Sequence, residues 1–173
     1  MIFKNEKELE RFLMSKCQIA IKQAQEHVYR ILDKFLNDFY DDYDPTTYVD
    51  WDGTRKIKRG YDRTYQLLRS LVKSEVIPSK KGYQARVYFD LNGLSYNGYN
   101  PTGEQVMAAA SQGLHGAIGK MPRTTPFGND EFMYVQGNTG VSVWNDPIKI
   151  LDAEAINILR DMLIAEGIPL SKK

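Results

Sequence analysis

The residues whose types and spacing could support chemistry are few. Gly113-Leu114-His115-Gly116-Ala117-Ile118-Gly119-Lys120 ends in the Gly-Lys pair of a phosphate-binding loop, in which backbone N–H groups cradle phosphate and the lysine reaches its outer oxygens. That motif needs a glycine five residues before Gly119, where Leu114 stands, and a hydroxyl after the lysine for magnesium, where Met121 stands. No clear strand feeds directly into it either, so nucleotide binding is set aside. Asp50-Trp51-Asp52-Gly53 is a fragment of what a calcium loop offers, without the remaining ligand spacing or the distal glutamate. His27, His115 and Cys17 stand at no ligand spacing from one another, so a zinc site has no basis. A Ser-His-Asp triad is assembled in space rather than along the chain, but no nucleophile elbow points to one. The sequence therefore yields no catalytic residue, no metal ligand and no cofactor, and a non-enzymatic role is expected.

The elements around these residues are better defined. From Asn5 to Tyr43, Leu9, Phe12, Leu13, Ala20, Ala24, Val28, Ile31, Leu32, Phe35, Leu36 and Phe39 recur at spacings of three and four, with no Gly or Pro between them. Asn5 can cap the start of this helix, Glu6 and Glu8 suit its positive end, and Asp44-Pro45 stops it. At 1.5 Å per residue it would run about 55 Å, against about 40 Å for the diameter of a compact chain of this size. It must bend within one monomer or run on into a neighbouring subunit. The acidic, aromatic end from Phe35 to Tyr43 is the part expected against another subunit.

Downstream, Tyr61 to Leu71 reads as a short amphipathic helix with Tyr61, Tyr65, Leu68 and Leu71 inward. Ser74 to Ile77 and Gln84 to Leu91 read as a hairpin turning at Pro78 to Gly82; Ala85, Val87 and Phe89 face one way, Arg86, Tyr88 and Asp90 the other. The stretch 92–129 holds seven of the chain's 13 glycines. Within it Thr102-Gly103-Glu104-Gln105 resembles a capping box that opens a short helix ended by Gly113, and the rest reads as a long loop that orders only against a partner. Phe132 to Gln136 and Val141 to Trp144 read as a second hairpin. A final helix is capped by Asp146, carries Pro147 in its first turn and ends at Gly167. The expected fold class is α+β: one domain over 1–173, with the long helix at 5–43, a charged loop at 44–60, a glycine-rich insertion at 92–129, and the N- and C-terminal helices packed on a small antiparallel sheet of hairpins.

With 173 residues, 42% of them hydrophobic, the chain can bury one good core. A net charge of +1 argues against nucleic-acid binding by bulk charge alone. The lone Cys17 reads as a small buried hydrophobe of a reduced, intracellular protein; Lys4, Glu6, Lys7 and Glu8 leave no apolar core for a signal peptide, and no run reaches the length of a membrane span. Locally the charge is far from neutral. Residues 37–52 carry six acids and no base, and residues 53–81 carry nine bases and two acids. Segments of opposite sign can pair within a chain or between copies, and the aromatics threaded through them favour a contact surface. Candidate subunit-interface residues are Asp41, Asp42, Asp44, Tyr48, Trp51, Arg55, Lys58 and Arg59; Lys56, Lys80 and Lys81 are candidates for facing DNA.

The order of elements resembles the head-to-tail joining, or tail-completion, family of tailed bacteriophages, typified by the lambdoid minor tail protein Z. Arg63-Thr64-Tyr65-Gln66-Leu67-Leu68-Arg69-Ser70-Leu71 is similar to that family's Thr-Gly-x-Leu-x-x-Ser-[Ile/Leu] pattern, with Tyr65 in place of the glycine, and Tyr43-Asp44-Pro45-x-x-Tyr48 is reminiscent of versions from phages of Gram-positive hosts. The resemblance implies an architectural virion protein made in the bacterial host cytoplasm. It would form a homo-oligomeric ring, a hexamer or dodecamer, at the neck or upper tail, between connector or neck proteins and the tail tube or tail terminator, around the path of the DNA and with no membrane partner. Two readings from other classes stand beside it: a small cytoplasmic hydrolase with its site in the glycine-rich loop, and a monomeric nucleic-acid-binding adaptor using the basic 55–81 segment.

Overall fold

The computed structural model describes residues 3–42, 47–49, 55–57, 65–80, 82–94, 101–120 and 131–170. The fold is α+β, a long N-terminal helix and a C-terminal helix with short antiparallel strand pairs. Its elements in order are α1 (Glu6–Asp41), β1 (Thr47–Val49), β2 (Arg55–Ile57), α2 (Gln66–Arg69), β3 (Leu71–Lys73), β4 (Ile77–Ser79), β5 (Gly82–Gln84), β6 (Val87–Phe89), a single 3-10 turn (Leu91–Gly93), α3 (Gly103–Ala110), β7 (Leu114–Lys120), β8 (Glu131–Asn138) and α4 (Asn145–Ala165). The strands pair as four two-stranded ladders, β1–β2, β3–β6, β4–β5 and β7–β8. The chain gathers into two compact units, one of Met1–Ile31, Val72–Tyr88 and Lys149–Lys173, the other of Leu32–Leu71 and Phe89–Ile148.

Local chemistry explains the helix ends. The Asn5 side chain accepts from Glu8 N at 3.0 Å, and the Glu8 carboxylate accepts from Lys4 N at 2.7 Å, which satisfies donors that the first turn of α1 leaves open. At α3 the capping box forms as its sequence implies: Gln105 N donates to Thr102 Oγ1 and Thr102 N to Gln105 Oε1. At the end of α4, Gly167 takes a left-handed φ of +80°, Gly167 N donates to Ile164 O and Ile168 N to Leu163 O. These are the two reversed hydrogen bonds of a glycine stop. The start of α4 differs from expectation. Ser142, not Asp146, takes up the free donors: its Oγ accepts from Asn145 N at 2.8 Å, while Asp146 accepts from Ser142 N.

The unit of residues 32–71 and 89–148 holds the largest fully buried side chains among the described residues: Phe39, Leu32, Leu36, Val143 and Pro147. Here the glycine-rich stretch departs from the expected loop. Residues 103–120 form α3 and β7, and β7 pairs with β8 in antiparallel register from Leu114↔Asn138 to Lys120↔Glu131, with a bulge at His115/Gly116. So β8 takes β7 as its partner rather than 141–144. The latter segment is drawn to the end of α3 instead, where Val143 N donates to Ala110 O, Thr139 N donates to Gly113 O and the Val143 side chain fills the core.

In the other unit, α1 and α4 are tied by Lys16 to Glu166 at 2.9 Å, and Gln23 donates to the same carboxylate at 3.1 Å. The expected hairpin of residues 74–91 is present and longer, with β3–β6 as its base and β4–β5 as its tip. The ladder is interrupted between them because the Ser74 hydroxyl, rather than a backbone carbonyl, accepts from Arg86 N. The buried Gln25 amide fills that gap from α1, donating to Ser74 O at 2.9 Å and Arg86 O at 2.8 Å. Alternation over residues 85–90 is as expected: 85, 87 and 89 are half-buried and 86, 88 and 90 exposed.

Candidate interaction surfaces

The end of α1 is the stretch that the sequence sets against another subunit. The apolar side chains there are already covered inside their own unit: Leu36, Phe39 and Tyr40 are buried, Phe39 stacks on His115 with ring centroids 5.5 Å apart and planes 12° from parallel, and Tyr40 meets Tyr65 at 5.4 Å. An aromatic cluster closed in this way does not need another subunit to leave water. What remains outward is charge. Asp41 and Asp42 are exposed, Asp38 is bridged by Lys34, and the last turn of α1 carries no base. Acids at the negative end of a helix dipole are unfavourable by a few tenths of a kcal/mol to about 1 kcal/mol each, and a cation brought to them is correspondingly favoured.

The other expected interface residues fall on or around the β1–β2 hairpin. Its register sets Tyr48 opposite Lys56, Val49 opposite Arg55 and Thr47 opposite Ile57, so the basic segment folds back beside the aromatic one within the same chain. Lys80 is exposed at the turn between β4 and β5, on a different hairpin from Lys56. Asp44, Trp51, Lys58, Arg59 and Lys81, and also Tyr61 and the Asp50-Trp51-Asp52-Gly53 fragment, lie outside the described residues. The stretch from Gly113 to Lys120 is extended as β7 from Leu114 on, paired with β8, and not turned into the loop of a phosphate cradle.

Tyr65 carries information that periodicity did not. It is the one described non-glycine residue with a left-handed backbone, φ +52° and ψ +27°. Residues 61–64 of the expected helix lie outside the described residues; from Tyr65 on, the left-handed residue sets the start of α2 at Gln66, and Leu67 rather than Leu68 is the buried position. A side chain in this conformation costs about 1–2 kcal/mol, a penalty glycine escapes. Tyr65→Gly and Tyr65→Ala both lose the ring contact to Tyr40, but only alanine keeps the backbone strain. The glycine variant is expected to be the more stable of the two by about 1 kcal/mol in urea unfolding; equal midpoints would contradict the strain.

Two carboxylates are electrostatically tuned. Glu26 and Glu166 titrate below the ordinary glutamate value of 4.5, chiefly through hydrogen bonds from Lys73 and Lys16 respectively, with burial opposing and the lysine charges assisting. A lowered folded-state pKa means that the stabilisation is complete above the unfolded value and is lost as pH falls through the folded one. Lys16→Met is therefore expected to flatten the acid loss of stability from about pH 5 to about pH 3, measured by urea midpoints; an unchanged pH slope would contradict it. Lys73 also lies over the Tyr29 ring at 4.3 Å, which fixes its ammonium beside Glu26.

Apolar exposure points elsewhere on the chain. Ile77 is 46% exposed at the hairpin tip and Ile156 79% exposed on α4. The signal for the first was Pro78, a strand residue suited to an edge; the second lies off the face that helical spacing gives to Ile148, Leu151, Ala155, Leu159 and Met162. Among the described residues, no three His, Cys, Asp or Glu side chains gather to hold a metal ion, and no helix is long and apolar enough to cross a membrane.

The model of the YomN family matches residues 5–133, from the cap of α1 into β8, and the chain belongs to that family. The family is phage-derived, of the Bacillus-phage kind, which makes this a phage-associated protein. No curated protein and no solved structure matches the chain.

Proposed function

We propose that the protein is a structural component of a tailed phage particle, a ring-forming neck or tail-completion subunit that joins the head connector to the tail tube. The observation that carries this reading is Tyr65. It stands where the joining-family pattern has glycine, and its backbone has the left-handed conformation that would select glycine there. Membership in a phage-derived family agrees with it. In this reading the exposed acids at the end of α1 and the β1–β2 hairpin form the contact between copies, with Asp41, Asp42 and Asp44 of one subunit meeting Arg55, Lys58 or Arg59 of the next.

Three measurements test the proposal. Mass spectrometry of purified virions is expected to find the chain as a stoichiometric component, and deletion of its gene to leave filled heads and tails unjoined in electron micrographs. Its absence from particles would reject the role. Reversing Asp41, Asp42 and Asp44 to lysine is expected to weaken assembly, most strongly at low salt where screening is least; rings that assemble unchanged would reject that contact.

A further inference from the structure

The β4–β5 hairpin is not accounted for by the packing of its own unit. All three residues of β4, Ile77, Pro78 and Ser79, are exposed, as are Lys80 and Gln84. Side chains of successive strand residues point to opposite faces, so exposure at all three means that both faces of this strand are open. A two-stranded ribbon is marginal in water without a covering surface, and an isoleucine 46% exposed beside a proline is an apolar seat with nothing on it. The strand's edge is closed to pairing. Two residues, Lys80 and Lys81, connect Ser79 to Gly82, so the Ser79↔Gly82 pair next to the turn exchanges hydrogen bonds and the Pro78↔Tyr83 pair behind it directs its backbone groups outward. At that outward position proline has no N–H to offer. The arm can therefore dock by its side chains but cannot extend a sheet through β4.

Charge identifies what it docks on. The turn of the arm carries Lys80, exposed, and Lys81 follows it in the sequence. Residues 37–60, from the acidic end of α1 through β2, carry six acids against four bases; with Asp38 bridged by Lys34, the five acids left exceed those bases by one. The last turn of α1 adds the negative end of its dipole, with Asp41 and Asp42 exposed and no base of its own. We infer that the β4–β5 hairpin is an arm that grips a second copy of this chain, seating Ile77 and Pro78 against it and placing Lys80 and Lys81 at the acidic end of its α1. This rests on the homo-oligomeric reading above and supplies a contact that the reading lacks: an apolar one, from a part of the chain distant in sequence from the β1–β2 hairpin.

The full-length chain allows a direct test in a Cys17→Ser background. Ser79→Cys and Asp42→Cys are both at exposed positions. Mixed under mild oxidation, these two variants are expected to yield a disulfide-linked species of twice the chain mass several-fold faster than either alone. Adding Lys80→Glu and Lys81→Glu to the first partner is expected to abolish that excess, and Asp41→Lys on the second partner to restore part of it. Mixed cross-linking no faster than self-cross-linking, including that of a chain that stays monomeric, overturns the proposal, and so does an excess that survives the lysine reversals. Loss of salt-sensitive DNA binding in the Lys80→Glu/Lys81→Glu chain with cross-linking unchanged would assign the arm to DNA and overturn it as well. The presence of the chain in virions is decided separately. A virion-borne chain that fails to cross-link removes the arm and leaves the structural role, whereas a cross-linking chain missing from virions does the reverse.

Discussion

Replacing Phe39 with alanine is expected to lower the free energy of unfolding by about 3–5 kcal/mol. The ring is 1% exposed, stacks on His115 and meets Tyr40 edge-on at 5.7 Å, so truncation removes both the transferred apolar area and the contacts lining the hole. Since domains are stable by only about 5–15 kcal/mol in total, the variant should melt many degrees lower and show a reduced urea midpoint. Ile156→Ala is the internal control. That side chain is 79% exposed, and its loss is expected to change stability by less than about 0.5 kcal/mol. A Phe39→Ala variant as stable as the control would mean that the end of α1 is not packed as described, and would return its aromatic face to the role of a subunit contact.

Gly103→Ala is the second large effect, and its sign is informative. In an ordinary helix the change to alanine stabilises by about 0.5–1 kcal/mol. Here a Cβ on Gly103 would lie 2.3 Å from Leu91 O and 2.8 Å from Leu91 Cβ. Neither atom is the swinging end of a side chain, so the first turn of α3 must back away from the 3-10 turn of residues 91–93. Overpacking of this kind costs about 1–3 kcal/mol and outweighs the helix gain. Thermal unfolding should show a lower midpoint for the alanine variant. A higher one would mean that the two turns do not approach each other.

How much of this was legible in the sequence depends on whether local or distant chemistry decided it. The cap at Asn5, the box at Thr102 and Gln105, the stop at Gly167 and the alternation over 85–90 are settled within a turn or two of chain, and all were readable. The partner of β8 was not. The run from Val141 to Trp144 has strand composition, but its backbone groups go to the end of α3, about 30 residues away, while a segment that looked like loop on its glycine content supplies the strand. Glycines were read there as flexibility, whereas Gly113, with its φ of +73°, ends a helix turn against Gly140 and Val141. A tyrosine does not itself announce a left-handed backbone, so at Tyr65 the only signal was the glycine that the joining-family pattern has in that place. Of the candidate surface, Asp41 and Asp42 are exposed, as the charge of their segment leads one to expect. Periodicity showed that Leu36 and Phe39 lie on one face, but not whether their own chain or another would cover it, and it left out Tyr40, which is buried beside them.

The stacking of Phe39 on His115 also bears on how quickly the molecule can form. The two residues are about 75 positions apart, and joining them closes a large loop whose entropy must be lost before the core repays it. Val143 and the end of α3 add closures of about 30 residues, whereas α1 needs only neighbours four positions away. Helix formation should therefore run far ahead of core assembly: far-ultraviolet circular dichroism is expected to recover early in refolding, and burial of the tyrosine cluster to follow on the slower timescale of folds dominated by non-local contacts. That interval, with Leu36 and Phe39 still uncovered on a finished helix, is when association out of register between copies is most favoured.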